Sequence, residues 1–170
     1  MNTTAAINTQ DLRVGTGLDS HRLARGRKLI LGGVEIESEL GLDGHSDADV
    51  LTHALIDALL GAAALGDIGT HFPDTDEQYR DADSLVLLGK TVQLLKEAGY
   101  SPGNVDVTVA LEQPKIGSYR NQIRERLAET LGLPVSAVSV KATTGERVGF
   151  IGRGEGALAV ATASIGPISA

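Results

Sequence analysis

Between two β-rich stretches the chain carries Val50, Leu51, Ala54, Leu55, Ala58 and Leu59, apolar residues that recur at helical spacing from about Ala48 to Leu65. A helix with that much apolar surface must lie against another layer, and the flanking segments supply strands for one. Arg13, Val14 and the glycines that follow read as a first strand, from about Leu12 to Leu18. Lys28 to Leu31 and Val34 to Ile36 flank Gly32-Gly33, the spacing of a tight hairpin. Glu37 to Gly44 reads as a polar loop, and Gly66 to Arg80, which contains Pro73, as a second one. A further helix is expected from Ser84, its N-cap, to Ala98, with Gly99 as terminator. Val105 to Leu111 reads as a strand, and Tyr119 to Leu131 as a helix ended by Gly132 and Pro134. Val138 to Ala142 and Ala157 to Ile165 read as the last two strands. The order predicts an α/β chain, an α+β two-layer sandwich in which a mixed β-sheet carries helices on one face. No repeat or linker interrupts it, so a single domain is expected over residues 12–166, behind a disordered polar tail over residues 1–11.

Composition narrows the chemistry. Aromatic residues make up only 3%, so Ala, Leu, Val and Ile must fill the core. A net charge of −7 speaks against nucleic acid as a partner, because a run of phosphates would go unneutralised. Met1 to Gln10 has neither the apolar core of a signal peptide nor the arginines of a transit peptide. No apolar run reaches membrane-spanning length, and a soluble cytoplasmic protein without membrane partners is expected. With no cysteine, a transition metal would have to rest on His, Asp and Glu, and there are 4 histidines.

Asp19-Ser20-His21 stands at the end of the first strand as read, and residues two apart in extended chain point the same way. His53 sits on the first long helix, off the stripe of Leu51, Leu55 and Leu59. One carboxylate and two imidazoles suit zinc with a position left open for substrate. The same residues also suit a chance Asp-x-His and a packed helical histidine, and spacing alone does not separate these readings. Gly44-His45-Ser46-Asp47-Ala48-Asp49 leads into that helix, where Ser46 or Asp47 can cap it and the free N–H groups can cradle a phosphate. Asp57, one turn beyond His53, is either a partner that orients the imidazole or a solvated charge. Lys141 to Glu146 breaks from a strand into a hydroxyl-rich turn, where Glu146 can bind a hard cation such as magnesium or serve an ordinary turn. Gly15-x-Gly17 is not a dinucleotide fingerprint, since neither a third glycine nor a helix start follows it.

Taken together these blocks resemble the 2-C-methyl-D-erythritol 2,4-cyclodiphosphate synthase family from about Arg13 to Ser164. The resemblance rests on Gly17 to His21, Gly44 to Val50, Asp57 to Ala62, Leu65 to Gly69, Phe72 to Asp76, Asn104 to Asp106, Pro114-Lys115 and Gly152 to Gly156, in that order. It implies a homotrimer around a central channel, with active sites between subunits. It implies zinc on Asp19, His21 and His53, and magnesium or manganese on Glu146 with the substrate diphosphate. His45 and Ser46 would lie beside the phosphates, with Asp57 and Thr144 also in catalytic positions. Asp67, Ile68, Gly69, Phe72, Asp74 and Ser84 would line the methylerythritol pocket. Leu111, Pro114, Lys115, Ile116, Ala142, Thr143 and Thr144 would enclose the cytidine diphosphate moiety. Phe150 and Arg153 would meet an isoprenoid diphosphate in the channel. The chain departs from the family pattern at Leu18 and Ser20, where looser packing near the zinc is expected, and at Gly145, where a more flexible loop is expected. Leu111-Glu112-Gln113 also replaces the commoner small-residue version. A zinc phosphohydrolase and a non-catalytic nucleotide-binding protein are the competing readings.

Overall fold

The computed structural model describes residues 12–168, and the tail expected over residues 1–11 lies outside the described residues. In chain order the elements are β1 (Arg13–Arg25), β2 (Leu29–Leu31), β3 (Val34–Ile36), β4 (Leu40–Asp43), α1 (Val50–Ala63), α2 (Ile68–His71), α3 (Ser84–Glu97), β5 (Tyr100–Ala110), α4 (Arg120–Leu131), β6 (Val138–Thr143), α5 (Gly149–Gly152) and β7 (Gly156–Pro167). One mixed sheet runs β4-β1-β7-β5-β6. Among the described residues its only parallel pair is β5 with β6, and α4 supplies the crossover that a parallel pair requires. The remaining pairs are antiparallel. β2 and β3 form a separate hairpin, whose Gly32 and Gly33 take φ of 57° and 70°, the left-handed pair that a two-residue turn demands.

The helices cover one face of the sheet. There α1 comes so close to β1 that a side chain on the strand has no room: a Cβ on Gly15 would fall 2.0 Å from the Ala58 carbonyl oxygen, and one on Gly17 2.0 Å from that of Ala54. The rejected glycine pair therefore has a packing role. Ala157, Ala159, Ala161 and Ala163 of β7 continue the small-residue surface under the helix, all fully buried. A core of small and aliphatic residues follows from this close approach, in keeping with the scarcity of aromatics. With the sheet below and α3 beside it, α1 is buried on most of its surface, His53 included, and only Asp57 and Gly61 interrupt that burial.

The other face of the sheet is uncovered in the single chain. Even-numbered residues of β1 point there, with Val14 and Leu18 each 61% exposed and Val160 of β7 beside Leu18 in register.

Several boundaries differ from the sequence reading. β1 continues to Arg25 because β7 and then β4 pair with it, so Asp19 and His21 lie within the strand. The loop expected over Glu37 to Gly44 contains β4, an edge strand whose form comes from pairing with β1. Helix α1 is capped by Asp49, not by Ser46 or Asp47: its carboxylate accepts from Thr52 N at 3.0 Å, Thr52 Oγ1 at 2.7 Å and Gly33 N at 2.8 Å, tying the hairpin to the helix. Helix α3 is capped by Asp83, which accepts from Leu85 N at 2.8 Å, and Ser84 is already helical. The loop expected over Gly66 to Arg80 contains α2. Leu18 and Ser20 point to the open face, opposite to Asp19 and His21, so they do not pack around the candidate ligands. Among the described residues no helix is long and apolar enough to cross a membrane.

Candidate active site

The alternation of β1 turns Asp19 and His21 toward the helix layer, and the tight β1–α1 contact brings His53 to meet them. Asp19 Oδ2 lies 3.0 Å from His21 Nδ1 and 3.1 Å from His53 Nδ1. Bonds of ~2.0–2.1 Å around a tetrahedral zinc ion separate neighbouring ligand atoms by ~3.3 Å, so these spacings fit such a centre. His21 Nδ1 is buried and, despite its closeness to Asp19, makes no hydrogen bond of acceptable direction. A lone pair aimed past its neighbour is what a ligand to a shared ion requires. Asp19, His21 and His53 thus form a candidate metal site.

In the metal-free site the electrostatics favour an ionised Asp19 paired with its histidines. Burial alone would raise the Asp19 carboxyl, but the two histidines outweigh it and hold the group well below the usual carboxylate range. Burial depresses His53, but Asp19 beside it, with Asp49 and Asp47 further off, raises it above the ordinary histidine value.

The second nitrogen of His53 faces inward, with Nε2 2.9 Å from Ser84 Oγ and 3.1 Å from Ser46 Oγ. Ser84 is fully buried and its hydroxyl also donates to Asp47. That burial is at odds with its expected place in the substrate pocket: the hydroxyl is engaged behind His53. Asp57 is also displaced from its expected role. Its carboxylate accepts the Ile68 N–H at 2.7 Å and makes no bond to His53, so it anchors the start of α2, and burial raises its pKa.

The segment carrying His45 and Ser46 is held by Arg27, whose guanidinium donates to the Gly44 carbonyl at 3.0 Å and the Ser46 carbonyl at 3.1 Å. From the other side Asp81 N donates to the His45 carbonyl at 2.9 Å. His45 Nε2 lies 3.3 Å from the Asp76 carbonyl oxygen.

A cleft of about 410 Å³ opens on the candidate ligands, walled by His45, Ser46, Ile68, Gly69, Phe72 and Asp74. Gly44, Tyr79 and Leu87 line it too, and the sequence reading missed them. Tyr79 meets Phe72 edge to face at 5.6 Å, a tertiary contact with no local signal; Leu87 reads in sequence simply as a core position of α3. Asp67, expected in this pocket, is exposed and not among the residues that line the cleft; its carboxylate is engaged in capping α2 through Thr70 N at 2.9 Å.

The remaining predicted residues gather elsewhere. Leu111, Pro114, Lys115, Ile116, Ala142, Thr143, Thr144 and Glu146 line a second cleft of about 410 Å³, which Gly117 and Arg120 complete. Thr144 Oγ1 donates to Glu146 at 2.8 Å, and Glu146 and Arg147 hold left-handed φ of 49° and 64°. Gly145 is less free than expected, since its N–H donates to Glu112 at 2.9 Å and a Cβ would fall 2.5 Å from Gly152 N. In register Ser20, Leu158, Ala110 and Thr143 form one row across the sheet, so the two clefts lie at the same end of it, three strand spacings or about 14 Å apart. Phe150 borders a third hollow with Ser20, Arg22 and Glu155, while Arg153 is paired with Glu155 at 2.8 Å.

Residues 12–166 match the model of the YgbB family. The chain belongs to the YgbB family. Its YgbB relatives include the 2-C-methyl-D-erythritol 2,4-cyclodiphosphate synthase of Chlorobaculum tepidum, 59% identical over 91% of this chain and 98% of the relative. That of Salinibacter ruber is 56% identical, with the same coverage. Among solved structures, the bifunctional IspDF from Campylobacter jejuni superposes with a TM-score of 0.90 at 40% identity, over 93% of this chain and 43% of that one. The CDP complex of IspF from Plasmodium falciparum gives 0.80 at 32% identity, over 93% and 97%. At this identity and coverage, YgbB membership carries the enzyme class, a cyclising lyase of isoprenoid biosynthesis.

Proposed function

We propose that the chain converts 4-diphosphocytidyl-2-C-methyl-D-erythritol 2-phosphate into 2-C-methyl-D-erythritol 2,4-cyclodiphosphate and CMP. The observation that carries the reading is the Asp19–His21–His53 cluster, opening on a cleft of metabolite size in a chain 59% identical to a synthase of that name. The substrate's 2-phosphate attacks the β-phosphorus, the bond to the α-phosphate oxygen breaks, and CMP departs with that oxygen. Both reacting groups are anionic, and the attacking phosphate needs no strong general base, so positioning and charge carry the chemistry. Asp19, His21 and His53 would hold zinc and Glu146 would hold magnesium or manganese, and when bound these ions would supply positive charge that offsets the repulsion. His45 and Ser46 orient the phosphates, Asp74 accepts from the polyol hydroxyls, and Phe72 covers its carbon chain. Lys115 and Thr144 donate to the diphosphate, and Leu111, Pro114, Ile116, Ala142 and Thr143 enclose the cytidine. A CDP complex of a structural relative supports a cytidine diphosphate as ligand.

The trimer belongs to the same proposal. In the single chain the strand that carries Asp19 and His21 and the strand that carries Ala142 and Thr143 lie three strand spacings, about 14 Å, apart, and the sheet exposes Val14, Leu18 and Val160. Packing that face against neighbouring chains would cover the apolar residues and bring one chain's nucleotide cleft to another's metal cluster. Around the resulting channel an isoprenoid diphosphate would dock at Phe150, with Arg153 exchanging Glu155 for the diphosphate; absence of farnesyl diphosphate binding removes this element alone. The setting proposed is the cytoplasm. The deciding experiment incubates the protein with substrate, zinc and magnesium and follows products by phosphorus NMR. CMP together with a cyclic diphosphate is expected; CMP with a linear product would favour hydrolysis, and zinc-loaded protein without turnover a binding role.

A further inference from the structure

Ser84 and Asp47 have no part in the chemistry described so far, and yet Ser84 is joined to His53 and Asp47 to Ser84. Ser84 Oγ has one proton and a carboxylate can only accept, so the bond to Asp47 fixes that proton on the Asp47 side. What remains on Ser84 Oγ is lone pairs, and His53 Nε2 lies 2.9 Å away. With Ser84 Oγ, the nearer partner, left as an acceptor, the proton of the neutral ring is assigned to Nε2, and Ser46 Oγ serves as a second, longer acceptor. The unprotonated Nδ1 is thereby turned toward Asp19 and His21, as a metal ligand needs. Asp47 is itself well anchored: it accepts from Ser84 N at 2.9 Å and Asp49 N at 3.2 Å, and its own N–H donates to the Ala82 carbonyl at 3.1 Å.

We propose that Asp47 and Ser84 form a carboxylate–hydroxyl relay that sets the tautomer and orientation of His53, making both of them positioning residues for metal binding. The usual outer partner of a metal-bound histidine is a carboxylate or carbonyl in direct contact. Here a buried serine is interposed, because the carboxylate sits at the junction of the His45–Asp49 loop and the first turn of α3. Ser46 Oγ, at 3.1 Å, is the weaker partner of the same nitrogen and lies beside the cleft.

The relay rests on the reading of Asp19, His21 and His53 as metal ligands, and the test separates the two. Zinc affinity is measured by chelator competition for the wild type, His53→Ala, Ser84→Ala, Asp47→Asn and the Ser84→Ala/Asp47→Asn double variant, with melting of each metal-free protein as a check on folding. Ser84→Ala is expected to weaken zinc binding on the order of 10–100-fold. Asp47→Asn keeps an oxygen for the Ser84 hydroxyl but loses the charge and the acceptor of the Ser84 N–H, so its melting is read beside its affinity, and a smaller loss of affinity than in Ser84→Ala is expected. Because Asp47 acts through Ser84, the double variant should bind zinc no more weakly than Ser84→Ala. Wild-type affinity in Ser84→Ala, or single effects that multiply in the double variant, would overturn the relay while leaving the metal site standing. Undiminished zinc stoichiometry in His53→Ala would overturn both.

Discussion

Replacing Gly17 by alanine puts a methyl group where the structure has helix backbone. The new Cβ would lie 2.0 Å from the Ala54 carbonyl oxygen, 2.7 Å from Ala58 N and 2.9 Å from Asp57 Cβ, whereas ordinary contact begins at 3.4 Å. The nearest two atoms are backbone, so no rotamer change relieves the clash, and α1 must lift from β1 by roughly 1 Å or more. Overpacking of this kind costs about 1–3 kcal/mol, and a rigid backbone partner places the cost near the upper end. For a domain of this size that is a fall in melting temperature of roughly 5–12 °C. The site suffers separately, because Asp19 lies two residues along the strand and His53 on the displaced helix, at 3.1 Å. A shift of that size exceeds the ~0.5 Å that a preorganised site tolerates, and zinc affinity should drop at least tenfold. Calorimetry and chelator competition read the two effects, with Gly61→Ala as control. Gly61 lies inside α1 with nothing within 4 Å of its would-be Cβ, so alanine there should stabilise by about 0.5–1 kcal/mol. An unchanged melting temperature and zinc affinity in Gly17→Ala would refute the claim that strand–helix proximity builds the metal site.

Arg27→Ala removes the donors to the Gly44 and Ser46 carbonyls, and denaturant unfolding should show a loss of about 2 kcal/mol, with reduced kcat and full zinc content. In metal-free protein the lowered Asp19 adds stability that is complete above its ordinary value of 3.8 and lost as pH falls through the folded value. The raised His53 adds stability that is complete below its ordinary 6.5 and lost as pH rises through the folded value. Urea melts with chelator present should therefore show the pair's contribution greatest between those two pH values and absent in His53→Ala; an equally shaped profile in that variant would contradict the pairing. Glu146→Gln should reduce turnover far more than zinc content, measured by phosphorus NMR and metal analysis.

Asp19 and His21 were legible because a strand's two-residue period is local, and the hairpin at Gly32-Gly33 because left-handed glycines mark it in any context. The helices α1, α3 and α4 were legible from their periodicity. The caps were not, since several acidic and hydroxyl residues precede each helix and only tertiary contacts choose among them: Asp49 caps α1 because the Gly33 N–H also needs an acceptor there. β4 carried no signal, because four residues at a sheet edge become a strand only when β1 reaches them. Ser84 and Asp57 were assigned to the wrong neighbours for the same reason, as their partners lie 31 residues away at His53 and 11 away at Ile68.

β1 also explains why the candidate metal site and the open face are bound to one register. Its odd positions, Gly15, Gly17, Asp19 and His21, face the helices, with the glycines admitting α1 and the two ligands meeting His53 where the contact widens. Its even positions, Val14, Thr16, Leu18 and Ser20, face outward onto the sheet's uncovered side. A slip of one residue would exchange the two sets, driving Val14 and Leu18 into the α1 backbone and turning both ligands to solvent. Ten consecutive pairings with β7, from Arg13–Ile165 to Arg22–Gly156, oppose that slip. The same pairings that hold the ligands in place therefore also fix which apolar side chains the outer face presents, so ligand geometry and any assembly through that face depend on one alignment of β1 against β7.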